Sequence, residues 1–240
     1  EDVMPSTPPP VPQLILSRKR IEQFLILGAV FLTLMGLAMD VSYYLLDHKR
    51  LLGMLRQFTL AEEANVPTWY SALLLISCAL CLAIIAMRLP KGEANYRRHW
   101  LILALIFTYM SMDETAVIHE MTIRPLRYAF DLDGALYYSW VIPAAVLMGI
   151  FLFSYLGFLR HLPSSSRNRF ILAGLVFVGG AFVTEFFIGY WWTTVGDGMT
   201  SGLLNILQES MEICGSSLFL SALLRHIEAS GRDLSISLRP

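Results

Sequence analysis

The feature that most constrains this chain is a series of six apolar stretches, each about as long as a bilayer is thick. A transmembrane helix needs roughly 20 mostly apolar residues to cross the hydrocarbon core. Inside a bilayer, a helix satisfies every backbone polar group within its own segment, and the stretches lack the alternation of a half-buried strand. We therefore predict an all-α, polytopic integral membrane protein with six transmembrane helices, at residues 21–46, 67–89, 99–121, 135–160, 169–193 and 203–227.

The composition agrees with this fold class. Hydrophobic residues make up 55% of the 240 residues and charged residues only 15%, against about 25% charged in typical soluble domains. The net charge of −1 offers no basic surface for nucleic acid, so the expected partner is the lipid bilayer. We divide the chain into a proline-rich N-terminal tail at 1–20, a six-helix transmembrane domain at 21–227 and a C-terminal tail at 228–240.

Orientation follows from lysine and arginine, which are enriched in cytoplasmic loops. Most of the 18 basic residues lie on the side of the predicted bundle that also carries both termini. We therefore expect both termini to be cytoplasmic. The polar, proline-rich first residues are unlike a cleavable signal sequence, so we expect the first span to direct insertion.

Ionisable side chains interrupt the apolar spans at one level of the membrane. Three predicted spans carry carboxylates, in the segments SMDETAVIHEM (111–121), FVTEFFIGYWW (182–192) and LNILQESMEI (204–213). With a rise of about 1.5 Å per residue, the acids of all three fall in the outer half of the bilayer. Unrelated single charges would not share one depth, so we interpret them as one site.

Several carboxylates at one level require an offsetting positive charge. A charge at mid-membrane costs about 3 kcal/mol or more, and the predicted spans place no lysine or arginine at this level, although Arg124 and Arg127 follow closely and could fold back. Protons or a bound cation are therefore expected. Hard divalent cations prefer carboxylate oxygens, and a histidine ligand also suits zinc, iron or manganese. The predicted ligands of a divalent metal ion are Asp113, Glu114, His119, Glu120, Glu185, Glu209 and Glu212.

Helical positions refine this prediction. At about 100° per residue, Asp113, Glu114 and Glu120 share one inward-facing arc. His119 faces away from that arc unless the helix unwinds near Met121. Whether His119 joins the site therefore depends on where the third span ends.

Other polar and small residues have simpler interpretations. Asp40, beside Tyr43 and Tyr44 at the end of the first span, is interpreted as an interfacial residue. Gly174, Gly179 and Gly180 are expected to permit close helix approach. The last span carries a polar stripe at i, i+3, i+4 and i+7 spacing, formed by Asn205, Gln208, Glu209 and Glu212.

Four segments in this order resemble a group of uncharacterised bacterial multi-pass membrane proteins. They are NVPTWYSALLL (65–75), SMDETAVIHE (111–120), GAFVTE (180–185) and QESMEICGSSLFLSALLRH (208–226). The group shows the patterns N-x-P-T-W-[FY]-S, D-E-x4-H-E and E-x-x-E, although it often has leucine where this chain has Met112. The resemblance implies a bacterial inner membrane and implies that the predicted ligands are the group's shared polar residues. It supplies no activity.

Three functions agree with these features. The first is a metal- or cation-binding membrane protein, and whether it is an enzyme stays open. The second is a proton or cation conduit, which would need acids in the inner half of the bundle, where the predicted spans have none. The third is a structural or accessory subunit of a larger membrane complex, with other membrane subunits as partners.

Overall fold

A computed structural model of the chain describes residues 17–48, 54–89 and 95–230. These residues form helices and connecting turns and contain no β-strand. The predicted tails at 1–20 and 228–240 lie mostly outside the described ranges. The α-helices are α1 (Arg18–Tyr44), α2 (Met54–Phe58), α3 (Val66–Met87), α4 (Arg97–Ala116), α5 (Ile123–Phe130), α6 (Val141–His161), α7 (Ser164–Val178), α8 (Thr184–Thr194) and α9 (Met199–Ala229). Two 3₁₀ turns, His119–Thr122 and Gly134–Leu136, and a π-helical segment, Gly179–Val183, connect some of them.

Long apolar helices dominate the described residues. By length and composition, α1, α3, α6 and the unit running from α7 through α8 can each cross a membrane. The helix α4 together with residues His119–Phe130 makes a fifth crossing if the two parts, bent by 74°, count as one span. These helices fit the predicted multi-pass membrane protein. The sixth predicted span, 203–227, lies within α9, which is 31 residues long but is not among the helices apolar enough to cross a membrane by the same measure.

The N-x-P-T pattern begins α3. Asn65 precedes the helix, and its side-chain oxygen accepts the backbone N–H of Thr68 at 3.1 Å. Pro67 lies in the first turn, where a backbone N–H would have no helical partner. This start of the helix agrees with the sequence prediction.

The third predicted span, 99–121, ends earlier than expected. The helix α4 stops at Ala116 because Val117 adopts a left-handed conformation, with φ 53° and ψ 40°. The side chain of Asp113 accepts the backbone N–H of His119 at 2.8 Å and so stabilises the break. The prediction that residues 117–121 continue the helix is therefore wrong.

The helix α9 lies at the centre of the bundle. It packs against α1, α3, α7 and α8, and α4 packs against α3. Large apolar side chains remain exposed on the outward faces, as lipid contact requires. The buried core around α9 includes Leu82, Trp100, Phe158, Ile213 and Leu223.

The bundle has two unlike ends. We call the end where α1 begins and α9 finishes the arginine end. There Glu22 accepts ion pairs from Arg18 and Arg225, each at 2.8 Å, and Arg18 also contacts Glu228 at 2.7 Å. At the opposite end, where α1 finishes and α9 begins, carboxylates prevail, and we call it the acidic end.

Glycine permits two close approaches to α9. A Cβ atom at Gly215 would lie 2.6 Å from the backbone nitrogen of Phe177, and one at Gly180 would lie 2.9 Å from the carbonyl oxygen of Gln208. Gly180 therefore acts as predicted. A Cβ at Gly174 would meet nothing within 4 Å, so the prediction that Gly174 permits close approach is wrong.

We expect Gly215→Ala to destabilise the protein, because the added methyl has no space against the backbone of α7. Overpacking of this kind costs about 1–3 kcal/mol, measured here as a lower melting temperature in detergent. Gly174→Ala is the matched control and should melt at or slightly above the wild-type temperature. Equal melting of the two variants would contradict the close contact between α7 and α9.

Candidate functional site

Acidic side chains from four separate segments gather toward the acidic end. They come from the loop 59–65 before α3, from α4 and the turn after it, from α8 and from α9. Electrostatic interactions connect Glu209 and Glu212 with Glu63, Glu114 and Glu185. Glu63 in turn interacts with Asp113, His119 and Glu120. We call these eight residues the acid cluster: Glu63, Asp113, Glu114, His119, Glu120, Glu185, Glu209 and Glu212.

His119 turns back toward the acids because the chain reverses after Val117. Its backbone N–H and its Nδ1 both contact the carboxylate of Asp113, one oxygen each, at 2.8 Å. Both Asp113 oxygens are thus engaged, which makes Asp113 an orienting group rather than a first choice as a metal ligand. The Nε2 of His119 is then the ring nitrogen available to a ligand or a proton. The helix ends four positions before Met121, and His119 therefore faces Asp113 rather than away from the acids.

Trp140 joins His119 to Glu185. The Trp140 and His119 rings lie 4.8 Å apart with planes at 66°, and the indole Nε1 donates to Oε1 of Glu185 at 3.4 Å. Gln208 donates its amide to the same oxygen at 3.1 Å. Glu185 is only 8% exposed, and its second carboxylate oxygen accepts neither of these bonds.

The π-helical segment Gly179–Val183 immediately precedes α8 and so sets the direction of Glu185. A Cβ at Gly180 would lie 3.1 Å from the backbone nitrogen of Glu212, and one at Gly179 would lie 2.9 Å from Met211. Gly180 therefore lets the segment lie directly against the backbone of α9, whereas the flexible end of Met211 could move away from a Cβ at Gly179. Single-turn π-helices are uncommon and often occur at functional sites.

Glu209 and Glu212 project from consecutive turns of α9 and are half-buried, as is Glu114 on α4. Each of the two lies within electrostatic range of Glu114 and of Glu185. Gln208 hydrogen-bonds Glu212 as well as Glu185. Within the predicted polar stripe, Gln208, Glu209 and Glu212 therefore interact with acids of α4 and α8.

Glu63 belongs to the acid cluster although the sequence analysis did not select it. Its carboxylate accepts the Thr68 hydroxyl at 3.3 Å and interacts electrostatically with Glu120, His119 and Asp113. Asn65 fixes the loop by donating to the carbonyl oxygens of Thr59 at 2.7 Å and Glu62 at 2.6 Å.

A sequence signal for Glu63 does exist. It lies two residues before the helix cap Asn65, in the segment AEEA (61–64) that directly precedes the N-x-P-T-W pattern. A capping residue at Asn65 predicts that this segment lies beside the first turn of α3. Glu63 lies outside the predicted apolar spans, so the pattern of acids within those spans does not include Glu63.

No lysine or arginine neutralises the acid cluster by an ion pair within 17–48, 54–89 and 95–230. Arg127, which could have folded back, instead stacks on the ring of Tyr137 at 3.8 Å. Across the same ranges, no three or more His, Cys, Asp or Glu side chains are placed to hold a metal ion. The acids thus lie close enough to interact electrostatically. To coordinate one metal ion, the glutamate side chains would have to rotate toward a common point.

A sequence model described as "Domain of unknown function (DUF8692)" matches residues 24–227. The chain belongs to this family. The match runs from the second turn of α1 nearly to the end of α9 and includes every member of the acid cluster. No curated protein and no solved structure matches the chain.

Glu63 gives a prediction about pH, because it lies in a loop outside the spanning helices. Burial of its carboxylate, and then the nearby charge of Glu120, raise the pKa of Glu63 above its usual value. The folded chain thus holds this proton more tightly than the unfolded chain. The resulting stability is fully present below the ordinary glutamate pKa of about 4.3 and is lost as the pH rises through the raised value.

We therefore expect Glu63→Gln to keep stability that the wild type loses as the pH rises. In buffer with a chelator, the two melting-temperature curves should coincide near pH 4 and then diverge, with the variant more stable. Glu62→Gln changes the adjacent residue, is the control and should follow the wild type. If Glu62→Gln and Glu63→Gln behave alike, the carboxylate of Glu63 does not lie in the acid cluster.

Proposed function

We propose that this chain is a six-span protein of a bacterial inner membrane that binds a divalent metal ion at the acid cluster, on the external side, with both termini cytoplasmic. The long apolar helices support the membrane location. The 31-residue length of α9 supports a sixth crossing, since about 20 residues suffice. The basic residues concentrated at the arginine end support the orientation.

The observation that carries the metal proposal is the gathering of carboxylates from four segments, none of which pairs with a lysine or arginine of the described residues. An ionised carboxylate in the bilayer interior costs about 3 to more than 10 kcal/mol, depending on the method. Neighbouring carboxylates add mutual repulsion. A divalent cation removes both costs at once and lets the acids stay close together.

The donor set indicates the class of metal. His119 presents Nε2 while Asp113 holds Nδ1 at 2.8 Å. In protein metal sites, a carboxylate commonly contacts the second nitrogen of a histidine ligand in this way and fixes the orientation of the ring. With carboxylates from Glu114, Glu185, Glu209 and other cluster members, the mixed nitrogen and oxygen set suits zinc, iron or manganese. Such a metal would supply a Lewis acid to bound water or to a lipid-borne substrate, or would hold the four segments together.

Elemental analysis of detergent-purified protein tests the proposal directly. We expect stoichiometric metal in the wild type and its loss in Glu209→Gln, because the variant removes a central carboxylate. Glu228→Gln, on the same helix but at the arginine end, is the control and should retain the metal. Absence of metal from the wild type would overturn the proposal. Flux of protons or cations in liposomes would then favour a conduit, and absence of flux would favour a structural subunit.

Asp113→Asn tests the orienting role of this carboxylate. An amide cannot hold the imidazole in the same way, and loss of a group that orients a histidine ligand lowers metal affinity about 10- to 100-fold. Competition with a chelator measures the change. A weaker site that still fills at high metal concentration is the expected result, whereas complete loss, as in Glu209→Gln, would make Asp113 a direct ligand.

A further inference from the structure

Asp40 is a buried carboxylate at the acidic end that lies outside the acid cluster. It belongs to the last turns of α1, and only 6% of its surface is exposed. Among the described residues it has no hydrogen-bond or ion-pair partner, and its electrostatic neighbour is a second acid, Asp197. An ionised carboxylate is costly at this degree of burial, so Asp40 is either protonated or paired with a cation.

Asp40 and Asp197 flank the first turn of α9. The hydroxyl of Tyr44 donates to Oδ1 of Asp197 at 2.6 Å, and the hydroxyl of Ser201 donates to the same oxygen at 3.3 Å. Asp40 points at Gly202, where a Cβ atom would collide with its Oδ2. The end of α1 therefore presents one carboxylate, and the turn before α9 presents the other.

The helix terminus does not balance these charges. The N-terminus of a helix carries about half a unit of positive charge, against two carboxylates. No lysine or arginine among the described residues pairs with either acid. A divalent cation would match the remaining charge.

We infer that Asp40 and Asp197 form a second cation site, which binds a hard divalent ion of the Ca²⁺ class and joins the end of α1 to the start of α9. The candidate ligand atoms nearby are all oxygens, from the two carboxylates and the hydroxyls of Tyr44 and Ser201. Ca²⁺ prefers oxygen ligands, tolerates irregular geometry and completes its shell with water.

This site is separate from the acid cluster. Gly202 and Glu209 are seven residues apart on α9, which is about 10 Å along the helix axis. The acid cluster includes the nitrogen donor His119, whereas the neighbours of Asp40 supply none. The two sites should therefore respond to different ions and to different substitutions.

Thermal unfolding of the full chain in detergent, with and without Ca²⁺, tests the inference. We expect Ca²⁺ to raise the melting temperature of the wild type and of Glu209→Gln by about 2–4 °C. The shift should vanish in Asp40→Asn and Asp197→Asn. An unchanged shift in Asp40→Asn, or no shift in the wild type, would overturn the inference, and a shift lost only in Glu209→Gln would assign Ca²⁺ to the acid cluster instead.

A glycine pair provides a test that leaves all charges in place. Gly202→Ala puts a methyl group against the Asp40 carboxylate, whereas a Cβ at Gly198 would meet nothing within 4 Å. Binding of radioactive Ca²⁺ should weaken several-fold in Gly202→Ala and stay at the wild-type level in Gly198→Ala. Equal binding by the two variants would show that Asp40 does not contact the ion.

Discussion

The burial of an acidic helix face inside an apolar bundle is the constraint on which the rest of this structure depends. A carboxylate that faced lipid would carry the full cost of a charge in hydrocarbon, so Glu209 and Glu212 must face other helices. That requirement places α9 at the centre, with α1, α3, α7 and α8 packed around it. It also explains the glycines at close contacts, because α7 and the segment before α8 must reach the backbone of α9.

Departures from regular helix geometry occur where the acid cluster is assembled. Val117 takes a left-handed conformation, which is rare for a β-branched residue, and it turns His119 back onto Asp113. The π-helical segment Gly179–Val183 directly precedes Glu185. Such conformations persist only where the surrounding structure stabilises them. Both irregular segments lie beside the acid cluster. The packing therefore keeps the side chains of the cluster in place at the expense of regular helix geometry.

Much of the fold was predictable, because the length of an apolar run reflects the thickness of a bilayer. The long helices occur where the apolar stretches predict them, and the acids of three spans do meet at one end. The break at Val117 was not predictable from periodicity, since it depends on Asp113 accepting hydrogen bonds from a residue six positions later. Glu63 depends on a loop held by Asn65, and loops carry no periodic signal.

The two ends of the bundle provide an internal comparison for the proposed metal site. At the arginine end, the chain surrounds Glu22 with two arginines and the Ser221 hydroxyl, which is how a carboxylate is neutralised when it serves only to join helices. At the acidic end, several carboxylates approach one another, and Arg127 is engaged with Tyr137 instead. Repulsion among buried acids is costly, and simple apolar packing of the same helices would avoid it. Positive charge from outside the chain, either as protons or as the proposed metal ion, would relieve this repulsion.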